Sequence, residues 1–276
     1  MDSEAESREG LSITHRIPRV HVFEHKGHKN KAVGLVGRRG VTFHYGEEWK
    51  EKRGHRLDDR LDDFWETQTA LEDINGDGYP DLMVTDTKGT ADIEVRVQVF
   101  LANKELQYAK KPSFEMTSTG GFLVPRLVDL NGDEKLDLVM LSFPITLRNI
   151  ANYLFRKKIT MRLNTRLFKN GAIPEKETFS NSLSLDVSTD QEESVHIYGD
   201  FNADGINELA AGTNKSTLTI AAITKSGALT KKPWATVDVH SFGVARTKDL
   251  DNSGTDDLMI IHPRGTYKND IDIIRF

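Results

Sequence analysis

The sequence predicts an all-β fold: a β-propeller of five four-stranded antiparallel blades with one short helical insertion. Three observations predict it. A nine-position acidic loop occurs four times in the 276 residues. Each copy runs straight into an apolar, β-prone segment. The intervals between copies, 56, 71 and 49 residues, are each long enough for four short strands.

In the first loop the oxygen-bearing side chains of Asp73, Asn75, Asp77 and Asp81 fall at positions 1, 3, 5 and 9, ahead of Leu82-Met83-Val84. That alternation lets a tight turn aim several oxygens at one centre, and a hard cation such as Ca²⁺ takes six to eight of them at about 2.3–2.6 Å. Gly78 at position 6 permits the turn, and the Tyr79 carbonyl can supply position 7. The second loop offers Asp129, Asn131, Asp133 and Asp137, with the Lys135 carbonyl. The third offers Asp200, Asn202, Asp204 and Glu208, with that of Ile206. The fourth offers Asp249, Asp251, Ser253 and Asp257, with that of Thr255. The expected cofactor is Ca²⁺, up to four ions, one per loop. The second loop lacks the position-6 glycine, having Glu134, and the fourth has Ser253 at position 5.

An EF-hand opens with a similar pattern but needs a bidentate Glu at position 12 and flanking helices. Position 12 here is Val84, Met140, Ala211 and Ile260, and the flanks are β-rich, so the EF-hand is excluded. A strand–loop–strand hairpin closed by a carboxylate at position 9 resembles the FG-GAP or VCBS repeat of integrin-α-type propellers and many secreted bacterial proteins. The resemblance implies a calcium-binding propeller with one loop per blade.

Taken in order, the first blade begins at Arg19–Glu24, followed by His25-Lys26-Gly27-His28 and Ala32–Val36. This is a fifth copy of the loop, near residue 24, whose ligands are lost: a lysine in the first shell repels a cation, so no calcium is expected there. His21, His25 and His28 cluster beside it, a pattern compatible with zinc but better explained as a solvated loop. Gly46–Thr69 is dense in charge and reads as a solvated outer edge. Ile93–Phe100 alternates as a third strand, with Ile93, Val95, Val97 and Val99 on one face. Phe143–Lys158 interrupts the third repeat between its second and third strands. Leu147, Ile150 and Leu154 fall at helical spacing there, beside Arg148, Arg156, Lys157 and Lys158. This predicts a short amphipathic helix, with its apolar stripe packed inward as a plug. Arg148, Asn152, Tyr153, Arg156 and Lys157 are the candidate partner-binding residues. The last repeat supplies three strands, and Leu11–His15 offers a fourth that would cover its open edge. The expected organisation is a flexible segment over residues 1–10 and a single domain over 11–276, either a closed five-blade ring or part of a larger one.

Composition narrows the function. A net charge of −5 leaves no electrostatic footprint for nucleic acid, and the absence of cysteine excludes disulfides and thiolate metal sites. No apolar run reaches membrane-span length. The acidic start is not a signal peptide, so the expected setting, secreted, periplasmic or cell-surface, presumes a leader outside this sequence. No nucleophile elbow, zincin motif or phosphate loop occurs. The leading expectation is a monomeric, non-catalytic, calcium-stabilised module recognising a protein or glycan. A polysaccharide lyase or hydrolase and a purely structural repeat domain are the alternatives.

Overall fold

The structure, a computed structural model, describes residues 19–24, 31–37, 40–46, 51–56, 66–89, 93–187, 195–214 and 216–276. The first blade is β1 (Arg19–Glu24), β2 (Lys31–Gly37), β3 (Gly40–Tyr45) and β4 (Glu51–Arg56). The second is β5 (Glu66–Glu72), β6 (Asp81–Lys88), β7 (Glu94–Phe100) and β8 (Phe114–Thr119). The third is β9 (Gly121–Val128), β10 (Asp137–Pro144), β11 (Lys158–Arg166) and β12 (Phe179–Asp186), with α1 (Leu147–Arg156) between β10 and β11. The fourth is β13 (His196–Gly199), β14 (Glu208–Asn214), β15 (Thr217–Ala221) and β16 (Ala235–Asp238). The fifth is β17 (Val244–Lys248), β18 (Asp257–Ile261) and β19 (Ile271–Ile274). Every sheet is a meander in which neighbouring strands follow one another in sequence. The fold is the predicted five-bladed β-propeller.

The fifth sheet has three strands among the described residues. Residues 11–15, the expected fourth, lie outside them, as do residues 25–28 of the degenerate loop and residues 57–65. The charge-dense stretch contains β4, whose sequence Glu-Lys-Arg-Gly-His-Arg pairs with β3 and, among the described residues, with no other strand. Charges on an outermost strand keep its free edge from recruiting another chain.

The chain divides into two compact units. One comprises the described residues up to Gly89 with Arg96–Glu115; the other comprises those of Thr90–Val95 with Met116–Phe276. In the first, Phe43, Leu71, Leu82, Val84, Phe100 and Tyr108 form the core. In the second, one cluster joins Leu130, Val139, Leu141 and Leu163 to Tyr198, Leu209 and Ala211, and another joins Phe201, Ala210 and Leu218 to Phe242, Leu258 and Ile260. Each cluster draws on two consecutive blades, and β14 lies between two of them, with Leu209 and Ala211 in one and Ala210 in the next. The residues of β6, β10 and β14 are buried in succession rather than alternately. That explains the unbroken apolar runs after the loops. Two glycines leave room for side chains of the next blade: a Cβ on Gly34 would lie 2.6 Å from Leu71, and one on Gly212 would lie 2.6 Å from the Phe242 ring.

Candidate functional site

The four acidic loops occupy one topological position. Each joins the first and second strands of its blade, and position 9 always pairs with the residue preceding position 1: Asp81 with Glu72, Asp137 with Val128, Glu208 with Gly199, Asp257 with Lys248. Within the loop the position-1 carboxylate gathers backbone N–H groups. Asp77 N donates to Asp73 Oδ1 at 3.1 Å and Gly78 N to Asp73 Oδ2 at 2.8 Å. The same pair recurs from Asp133 and Glu134 to Asp129, from Asp204 and Gly205 to Asp200, and from Ser253 and Gly254 to Asp249. Position 3 accepts from position 5 in each, as in Asp77 N to Asn75 Oδ1 at 3.0 Å.

This folding requires left-handed backbone twice. Position 6 has φ of 87° at Gly78, 63° at Glu134, 80° at Gly205 and 93° at Gly254. Position 4 has φ of 73° at Gly76, 73° at Gly132, 58° at Ala203 and 60° at Asn252. The sequence signalled the glycine at position 6; the matching demand at position 4 is legible only in the structure, because Ala203 breaks the compositional pattern.

Position 9 is buried in all four loops: Asp81, Asp137, Glu208 and Asp257 are each at most 1% exposed. Asp81 Oδ2 accepts from Ile74 N at 2.9 Å and Oδ1 from Ala102 N at 2.7 Å, beyond the third strand. Asp137 repeats this with Leu130 N at 3.0 Å and Phe168 N at 2.7 Å. Glu208, one methylene longer, accepts from Phe201 N at 3.0 Å and Asn202 Nδ2 at 2.7 Å. Burial pushes Asp81 up to about 7, partly offset by its two backbone donors and reinforced by Asp77 and Asp73. Asp137 rises to about 6 and Glu208 to about 7, burial again being the main cause. Desolvated carboxylates beside like charges are poorly compensated, which is the deficit that a bound dication removes.

The fourth loop differs. Asp257 Oδ2 accepts from Leu250 N at 3.0 Å, but its buried Oδ1 has no hydrogen-bond partner. Ligand oxygens of Asp249, Asp251 and Asp257 all lie within 4.8 Å of one another. An orphaned buried carboxylate oxygen beside two more acids is a donor set that fits an oxygen-seeking cation. Among the described residues this is the one acidic triad so gathered. In the first loop Asp77 Oδ2 is instead held by Asn75 Nδ2 at 3.0 Å. Two contacts that the sequence did not signal tie the loops to neighbours: Asn207 Nδ2 donates to Asp129 O at 2.6 Å, and Asp200 N to Asp256 Oδ2 at 3.0 Å.

The predicted partner-binding residues Arg148, Asn152, Tyr153 and Arg156 lie on α1 and Lys157 directly follows it, at the opposite end of β10 from its loop. Thr146 caps the helix by accepting from Asn149 N at 3.2 Å, and Lys157 closes it in left-handed geometry at φ 52°. The helix is amphipathic as expected, but the inward plug is not what forms. Asn149 is the buried residue, donating Nδ2 to Pro144 O at 2.8 Å. The apolar stripe faces outward, with Leu147 88%, Leu154 59% and Phe155 86% exposed. A single polar anchor and a capped start fix the helix by its polar side, which turns the apolar side to solvent. Arg148 and Arg156 are exposed, Asn152, Tyr153 and Lys157 are half-buried, and the Lys157 ammonium lies 4.9 Å from the Tyr153 ring centre.

Residues 73–140 match the family model of the FG-GAP-like repeat. Curated proteins give no match. Among solved structures, the exotype rhamnogalacturonan lyase YesX aligns at 11% identity and TM-score 0.38, over 84% of this chain and 47% of its own. An Agrocybe aegerita lectin, described as recognising non-reducing terminal N-acetylglucosamine, aligns at 10% identity and TM-score 0.39, over 94% of this chain and 79% of its own. The chain thus spans about half the length of the lyase. No helix among the described residues is long and apolar enough to cross a membrane. Residues 73–140, which contain the first two loops, thus carry an FG-GAP-like repeat, and the same loop returns at Asp200 and Asp249 on further blades of the β-propeller.

Proposed function

We propose that the chain is a non-catalytic, calcium-stabilised binding or scaffold module that engages a macromolecular partner through the face carrying α1. The observation that carries this reading is the outward apolar stripe of Leu147, Leu154 and Phe155 on a ten-residue helix inserted where a hairpin needs only a short turn. Calcium serves the scaffold rather than the contact. The loops stand at the other end of the strands, and the orphaned Asp257 Oδ1 supports an ion in at least one of them. Such loops suit the millimolar calcium of a secreted, periplasmic or cell-surface setting. Against the alternative of a polysaccharide-acting enzyme stands the position of Asp81, Asp137 and Glu208. These carboxylates, pushed toward neutrality by burial, are each bound to backbone N–H groups within their own loops rather than free to move protons.

The test is a screen of purified proteins and a glycan array, run with calcium, with chelator, and with residues 146–157 replaced by a Gly-Ser turn. Binding lost with the helix while the melt is unchanged supports the module; binding that ignores the helix overturns it.

A further inference from the structure

We infer that α1 is an interfacial anchor and that its partner is an anionic lipid surface; this rests on the reading that α1 is the docking element and names what it docks to. Three independent observations favour a membrane over a protein groove.

The first is orientation. A surface helix ordinarily buries its apolar stripe against its own protein. Here the polar side holds the helix down through Asn149, and the apolar side, with Leu147 88% and Phe155 86% exposed, points away from the blade. A helix carried this way meets a planar surface with its apolar face leading, the geometry of an in-plane helix set into the headgroup–acyl boundary.

The second is charge. The protein carries −5 overall, yet from Leu138 to Pro174 there is no Asp or Glu, against seven Lys and Arg. Lys158 is engaged by Asp186 at 2.9 Å and Arg166 by Glu177 at 3.8 Å. Arg148, Arg156, Lys157 and Arg162 have no acidic partner among the described residues. Lipid-facing helices pair an apolar stripe with unneutralised cations at headgroup level, each adding about fivefold in affinity for an anionic leaflet. Tyr153, with Lys157 over its ring, is the aromatic type that lies at that depth.

The third is a cleft of about 260 Å³ at the root of the helix, lined by Ser118, Thr119, Ser142, Thr146 and Arg162 among others. Hydroxyls and an unpaired guanidinium beside an apolar helix match a phosphate headgroup whose acyl chains lie along Leu147 and Phe155.

The test uses the full chain with calcium held constant, floated with vesicles of phosphatidylcholine alone or of phosphatidylcholine with one-third phosphatidylserine. Binding to the anionic vesicles only is expected. It should fall about tenfold or more in Leu147→Asp/Phe155→Asp and in Arg148→Gln/Arg156→Gln, all at exposed positions that leave the fold intact. Phe155→Trp should show blue-shifted added emission with those vesicles, and inorganic phosphate at equal charge should not reproduce the shift. No anionic binding, or binding unaltered in both variants, as calcium bridging at the loops would give, overturns the inference. If vesicles fail while a purified protein binds in a manner that depends on Leu147 and Phe155, the lipid assignment is overturned and the docking reading stands. If no partner of any class depends on α1, both are overturned.

Discussion

Phe168 donates its backbone N–H to Asp137 Oδ1 at 2.7 Å, across thirty-one residues, while Leu130 holds the other oxygen of the same carboxylate at 3.0 Å. Ala102 and Ile74 grip Asp81 in the same way. The last carboxylate of the loop is therefore a buckle: it closes its own turn and ties the second strand to the chain leaving the third. Asp137→Ala leaves two buried donors unpaired and is expected to cost roughly 3 kcal/mol. Chemical denaturation in excess chelator isolates this from calcium. A loss that vanishes in chelator would mean that Asp137 acts only through the ion.

Calcium should contribute on top of that framework. Chelation is expected to lower Tm by about 5 °C or more, because an ion held only by the folded loops stabilises by linkage. Asp77→Ala, Asp204→Ala and Asp251→Ala should each lose about one ion while remaining folded. An unchanged melt with no calcium found by metal analysis contradicts the assignment.

Glu134 occupies at φ 63° a position where the other loops have glycine. Glu134→Gly is expected to stabilise the protein by about 1 kcal/mol, the relief of left-handed strain exceeding the entropy that glycine adds to the unfolded chain. The denaturation midpoint reports it.

Gly212 is fixed by approach rather than by φ. Gly212→Ala places a methyl group 2.6 Å from the Phe242 ring and should destabilise by about 1–3 kcal/mol. A neutral result would show that the ring can withdraw.

Burial, aided by the Arg126 charge, lowers His196 to about 4, and neither ring nitrogen has a hydrogen-bond partner. The folded state favours the neutral imidazole. Its contribution is complete above the unfolded value near 6.5 and is lost as pH falls from there toward 4, by up to roughly 3 kcal/mol. The stability of His196→Gln, measured against the wild type across that window, should lack this slope; parallel curves would refute it.

The sequence by itself determined the blade and its loop. Alternating oxygens at Asp73, Asn75, Asp77 and Asp81, followed by Leu82-Met83-Val84, specify a turn and an apolar strand from local chemistry alone, and four copies specify a repeat. It also determined that α1 is a helix, because Leu147, Ile150 and Leu154 share a period. What it left open is what long-range packing decides. A helical stripe shows which side is apolar but not which side is held; Asn149 bonded to Pro144 O settled that, turning Leu147 and Phe155 outward. A carboxylate at position 9 reads as a ligand, but only tertiary structure brings Ala102 and Phe168 to its second oxygen and leaves that of Asp257 without a partner. A charged stretch reads as an outer edge, but that Glu51–Arg56 is a strand is set by backbone hydrogen bonding to β3, which needs no apolar side chain. Local pattern is written in neighbouring residues; orientation and satisfaction of polar groups depend on residues dozens of positions away.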